Sequence, residues 1–279
     1  MDSVAEQFAV FLAQLHPSPE ELAAARETAA TAGAALRAHF RPDVSSTGPD
    51  FLVVGSIGKR TATRPLPPVD LIHLLPRRYP TPASALAEVV LAVPGEVSGD
   101  AVCLAGGRVR ILPALEHGNA YLIPVAGRWR ASNPAAEVAA LRLIDGLGGG
   151  LATRLLMLLR AWRDANAVAL ASFELENLVR EFVTQEAPVP GDFVAALTEF
   201  FVWSRRFTPC RLELPGGRAR LEIDAAWHGA AEAAYWRCVL AQRASAAGDH
   251  AAATEEWRRL LGSAFPAPAA PWNSRRLLG

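Results

Sequence analysis

The sequence predicts an α+β protein: a mixed strand-and-helix front half followed by an all-helical back half. Two observations carry this. Short apolar runs of strand length, Phe51–Val54 and Val69–Leu75, punctuate the first part of the chain. From Asn133 onward the apolar residues return at helical spacing and stay so. The boundary falls near residues 130 to 150, which divides the chain into 1–145 (sheet-bearing, with the N-terminal helices), 146–266 (helical) and a flexible tail, 267–279. With 51% hydrophobic residues the chain has enough apolar surface for a sizeable core, which excludes a disordered protein.

Val4, Phe8, Phe11, Leu12 and Leu15 are spaced for one face of a first helix. Ser18 caps a second, with Pro19 at its first position and Glu21 three residues on, running from Glu20 to about Phe40. Arg41-Pro42 to Pro49-Asp50 reads as a loop. Phe51–Val54 is a buried strand ending at Gly55-Ser56, and Val69–Leu75 a second strand, closed by Pro76. Ala101–Leu104 and Arg108–Leu112 flank a Gly106-Gly107 turn. Ser132 is the expected cap of a helix starting near Pro134. Leu151, Leu155, Leu158, Leu159 and Trp162 form one core-facing stripe. Further helices follow from Ser172 to Phe182 and from Phe193 to Trp203, then an extended piece between Cys210 and Ile223. Two last helices are broken at Gly248-Asp249.

Composition removes several classes of function. No apolar run reaches the roughly 20 residues that span a bilayer, and Asp2 and Glu6 lie where a signal peptide carries positive charge. Cys103, Cys210 and Cys238 are odd in number and widely spaced, as reduced thiols of a cytoplasmic protein are. The formal net charge is zero, so no global field favours nucleic acid.

The informative stretch runs from Val53 through Gly55-Ser56-Ile57-Gly58-Lys59-Arg60-Thr61-Ala62 to Val69-Asp70-Leu71-Ile72. Lys59 is the sole lysine. Nucleotide transfer uses two divalent cations held by carboxylates. A strand presents two of those economically as Asp-x-Asp, because alternate side chains share a face.

This stretch resembles the signature of the DNA polymerase beta-like superfamily, and most closely the cGAS/DncV-like nucleotidyltransferases (CD-NTases) that make cyclic oligonucleotides in bacteria. There a strand ends in Gly-Ser, then a basic Gly-Thr-Ala stretch, then Asp-x-Asp. The resemblance continues through Val109-Arg110-Ile111-Leu112-Pro113-Ala114, a third strand ending in Pro-Ala. It extends through Tyr121–Pro124, Trp129, Asn133-Pro134, Leu158–Trp162 and Ala171–Glu176 to Phe265-Pro266. It implies a nucleotidyltransferase core followed by a helical lobe, with a cleft between them. It also implies nucleotide contacts from Gly55, Ser56, Lys59, Arg60, Thr61, Arg110, Arg160, Ser172 and Phe173. Arg160 stands at the family lysine that contacts phosphate, and Phe173 at the aromatic that stacks on a base.

The departures fall on the metal. Pro68 stands at the first metal-binding Asp and Arg110 at the third, which leaves Asp70 as the residual metal ligand. Arg110 beside Asp70 repels a cation and pairs with the acid or with phosphate. His73 is read as packing on the Asp70 face of the strand. Glu116 and Asp100 have no spacing that places them on that face.

Three functions compete. The first is a pseudoenzyme that binds an ATP- or GTP-like nucleotide, a cyclic oligonucleotide or a protein partner from a defence operon, in antiphage signalling. The second is an active nucleotidyltransferase with a rebuilt metal site, the one case that needs Mg²⁺; otherwise no cofactor is expected. The third is a protein-interaction scaffold without ligand. Membrane association is not implied.

Overall fold

A computed structural model describes residues 4–41, 51–104, 106–217 and 219–267. The loop expected between Pro42 and Asp50 and nearly all of the tail expected over 267–279 lie outside them. No described helix is long and apolar enough to cross a membrane. The chain forms two compact units, one of residues 16–143 and 211–221, the other of 1–15, 144–210 and 222–279. This division differs from the sequence-order cut at residue 145, because the first helix belongs with the helical unit.

In the sheet-bearing unit, α2 (Pro19–Phe40) starts at the expected capping box: Ser18 accepts from the Glu21 amide, and the Glu21 carboxylate accepts from the Ser18 amide. The strands are β1 (Phe51–Val54), β2 (Val69–Leu74), β3 (Glu96–Ser98), β4 (Ala101–Leu104), β5 (Val109–His117), β6 (Ala120–Val125) and β7 (Arg128–Ser132). They make one seven-stranded mixed sheet in which β1 is antiparallel to β2, and β2 runs parallel to β5. Between them lie the short α3 (Gly55–Gly58) and α4 (Pro82–Ala92).

Strand β5 does not stop at Pro113-Ala114 but runs on to His117. The Val69 and Leu75 amides bond the Arg108 and Ala114 carbonyls, so even-numbered residues of β5 face β2 in the ladder. Pro113 faces the other edge, where β4 pairs only as far as Ile111, so its missing N–H breaks no bond.

One face of the sheet is closed by α2 and α4: Val69, Leu71, Val109 and Ile111 pack with Ala29, Leu36, Leu86 and Val89. The other face carries Val54, Ile72 and Ala114 with Leu52, Leu112, Tyr121 and Ile123. Strand alternation puts Asp70 and Arg110 on this second face. His73 is on the first instead, three residues from Asp70, buried with its ring 4.8 Å from that of Phe40. An odd separation on a strand reverses the face, so His73 cannot accompany Asp70.

Helix α5 (Pro134–Leu147) follows β7. Its cap is Asn133, not Ser132: the Asn133 Oδ1 accepts from the Ala136 amide at 3.0 Å. Ser132 closes the strand and donates to Glu137.

The helical unit contains α1 (Val4–Leu15), α6 (Leu151–Ala165), α7 (Ser172–Glu186), α8 (Phe193–Phe207), α9 (His228–Ala246) and α10 (His250–Leu261). The expected stripe on α6 is buried, but so are Ala152, Leu156, Met157 and Arg160. A helix apolar on most sides is the centre of its unit. Phe8 of α1 meets Trp257 and Phe265 edge-on at 5.1 and 5.2 Å, which fixes the chain's first helix to its last. The extended piece expected after α8 is a hairpin of β8 (Cys210–Glu213) and β9 (Arg220–Ile223).

Candidate functional site

The register of three strands brings the sequence-predicted residues of the sheet-bearing unit to one place. Val54, the last residue of β1, lies opposite Asp70, and Asp70 lies opposite Arg110. Gly55 follows directly, at φ +61°, and a Cβ there would collide with the Asp70 carboxylate. Glycine is therefore required twice at residue 55, by its left-handed backbone and by the approach of the acid. Ser56 is half-buried at the start of α3. Pro68 is exposed just before β2.

Arg110 Nη1 stands 3.4 Å from Asp70 Oδ1, with the arginine side chain 48% and the aspartate 26% exposed. Asp70 on β2 and Arg110 on β5 thus form an ion pair at the surface of the sheet. Glu116 lies six residues further along β5, opposite Tyr121, roughly 20 Å from Arg110. Contrary to the expectation from spacing, it pairs with Tyr121 on the Asp70 face of the sheet, and only distance separates it from Asp70. Asp100 accepts from the Ala126 and Gly127 amides at 2.7 and 2.9 Å and holds the β6–β7 turn. Among the described residues no group of three or more His, Cys, Asp and Glu side chains could hold a metal ion.

The basic loop after Gly55-Ser56 is fastened from below. Lys59 is buried, not solvated, and its Nζ lies 3.5 Å from Glu137 Oε2 of α5. Arg142, one turn further along α5, donates to the Gly58 carbonyl at 2.5 Å. Thr61 is fully buried, and its amide donates to the Ser56 carbonyl at 2.8 Å. Arg60 is exposed, at φ +62°. Glu137 and Arg142 were not singled out in the sequence. The only signal was an acid in the first turn of a helix following Asn-Pro, too common to select.

In the helical unit Arg160 is inside, not on the helix surface. Its Nη2 lies 2.5 Å from Glu176 Oε1, both side chains less than 10% exposed. Burial pushes the guanidinium below its ordinary value, and Glu176 works against that. Ser172 is exposed and accepts from Arg163 Nη1 at 2.6 Å. Phe173 beside it is half-buried.

No protein-family model and no curated protein sequence matches the chain. Solved structures do. CdnC of E. coli MS115-1 with ATP aligns over 96% of this chain and 100% of its own, at 16% identity and a TM-score of 0.80; CdnC is also solved in a complex with HORMA-deltaN. The CD-NTase CdnG of Bradyrhizobium diazoefficiens with GTP covers 94% of this chain and 95% of its own, at 15% identity and a TM-score of 0.70. DncV of E. coli with 3'-deoxy GTP covers 95% of each chain at 13% identity, with a TM-score of 0.70. The chain has the cGAS/DncV-like nucleotidyltransferase (CD-NTase) fold.

Proposed function

We propose that this protein is a catalytically degenerate CD-NTase-like protein that binds a nucleotide without transferring it. The observation that carries the reading is the Asp70–Arg110 pair. Mg²⁺ takes oxygen donors in near-octahedral geometry. Here one carboxylate remains, Pro68 contributes no donor, and a guanidinium occupies the neighbouring strand position. These residues do not fit a Mg²⁺ pair. They fit an anion, because a guanidinium fork matches phosphate oxygens.

The ligand class in this reading is an ATP- or GTP-like nucleotide or a cyclic oligonucleotide, supported by nucleotide complexes among the similar folds. Gly55 and Ser56 form the turn, and Arg60 and Arg110 offer charge. Lys59 and Thr61 act by holding the loop from within, while in the helical unit Arg160 is enclosed with Glu176, Ser172 is exposed and Phe173 half-buried. The setting we propose is antiphage signalling in the bacterial cytoplasm, with a protein partner from the same defence operon.

The test is incubation with labelled nucleoside triphosphates and Mg²⁺ or Mn²⁺, beside calorimetry with ATP in EDTA. The expected result is no oligonucleotide product and ATP binding that persists without metal. Turnover abolished by Asp70→Asn would overturn the reading.

A further inference from the structure

The basic residues around the Gly55-Ser56 turn are not equivalent. Lys59 pairs with Glu137, Arg64 with Glu21 at 2.8 Å, and Arg110 with Asp70, while Arg142 is held by the Gly58 carbonyl. A cation facing its own carboxylate presents less charge to an incoming anion than an unpaired one does, so Arg110 can contribute but not lead. Arg60 is the exception: its side chain is exposed and has no acid paired with it among the described residues. It also occupies φ +62°, a left-handed backbone position where a glycine would rest without strain. Its neighbours on both sides are fixed: the Lys59 amide donates to the Gly55 carbonyl at 2.9 Å and the Thr61 amide to the Ser56 carbonyl at 2.8 Å. The guanidinium thus leaves from a base tied back to the turn on both sides, on a backbone that disfavours it.

We propose that Arg60 is the anion-capturing residue of this site, taking the polyphosphate end of a nucleotide without a divalent cation, and that Lys59 is a positioning residue that anchors the loop to Glu137. This rests on the nucleotide-binding reading above and divides the labour within it. The ligand class that follows is a metal-free di- or triphosphate, recognised by its phosphates more than by its base.

The experiment is calorimetry in EDTA with ATP and, separately, inorganic tripolyphosphate, on the wild type, Arg60→Gly, Arg60→Lys and Lys59→Gln. Arg60→Gly is expected to weaken both ligands at least about tenfold, the loss of one charge-assisted contact, and to make binding less sensitive to salt. The same variant should melt at a higher temperature than wild type, since glycine relieves the backbone. Arg60→Lys should retain most of the affinity, and Lys59→Gln should lower the melting temperature. Arg60→Gly binding both ligands like wild type overturns the inference and leaves the nucleotide-binding reading standing. A wild type that binds neither ligand overturns both.

Discussion

Arg110 lies directly opposite Asp70 in the parallel register of β2 and β5, with its guanidinium 3.4 Å from the carboxylate. The pair is not buried, since Arg110 is 48% and Asp70 26% exposed. Water screens such a pair, so Arg110→Ala should cost less than about 1 kcal/mol. A double-mutant cycle with Asp70→Ala should give a coupling energy of the same small size, measured by denaturant unfolding. A buried pair would give several times that. A coupling above about 2 kcal/mol would mean that something shields the pair.

The costly ion pair is in the helical unit. Arg160 and Glu176 are both enclosed, 2.5 Å apart. Arg160→Met leaves Glu176 as an uncompensated buried acid and should destabilise by about 3–5 kcal/mol. Adding Glu176→Met should recover much of the loss. Additive losses in urea melts would show that the two groups do not interact.

Gly55→Ala should be destabilising for two separable reasons. The left-handed backbone at residue 55 disfavours a Cβ by roughly 1–2 kcal/mol, and the Cβ would also strike the Asp70 carboxylate. Asp70→Ala in the same chain should return the steric part only. Thermal melts of the two variants measure the split.

Restoring acids tests the metal argument from the other side. Pro68→Asp with Arg110→Asp surrounds Asp70 with carboxylates and removes the guanidinium. Calorimetry should detect Mn²⁺ binding in the double variant and none in the parent. If the double variant folds and still ignores Mn²⁺, the strand positions assigned to the metal are wrong.

Cys238 offers a check on the helical core. Its thiol is enclosed on α9 and pushed up to about 12 by burial. At pH 8 it should resist alkylation in the native protein and react once the protein is unfolded in urea, as read by mass spectrometry of the labelled chain.

Much of the site was legible because motif spacing is local. Gly55-Ser56 and Val69-Asp70 are joined by a short connection, and strand period alone puts Asp70 and Arg110 on matching faces once the strands are aligned. Helix α2 announced itself through Ser18, Pro19 and Glu21, a capping box that closes within four residues. Helix α4 and strands β3, β6 and β7 were not assigned from the sequence. Their runs are short, and β3 is exposed throughout, so burial leaves no periodic trace.

The sequence by itself determined the order of elements through most of the chain, the turn at Gly55, and the replacement of two expected acids by Pro68 and Arg110. These depend on residue type and near-neighbour spacing. Only the tertiary structure decided which charges are spent. Lys59 meets Glu137 across 78 residues of sequence, and Arg160 meets Glu176 on a separate helix. Arg110 stays in water while Arg160 does not, because burial is a property of everything packed around a side chain and is written in no single segment.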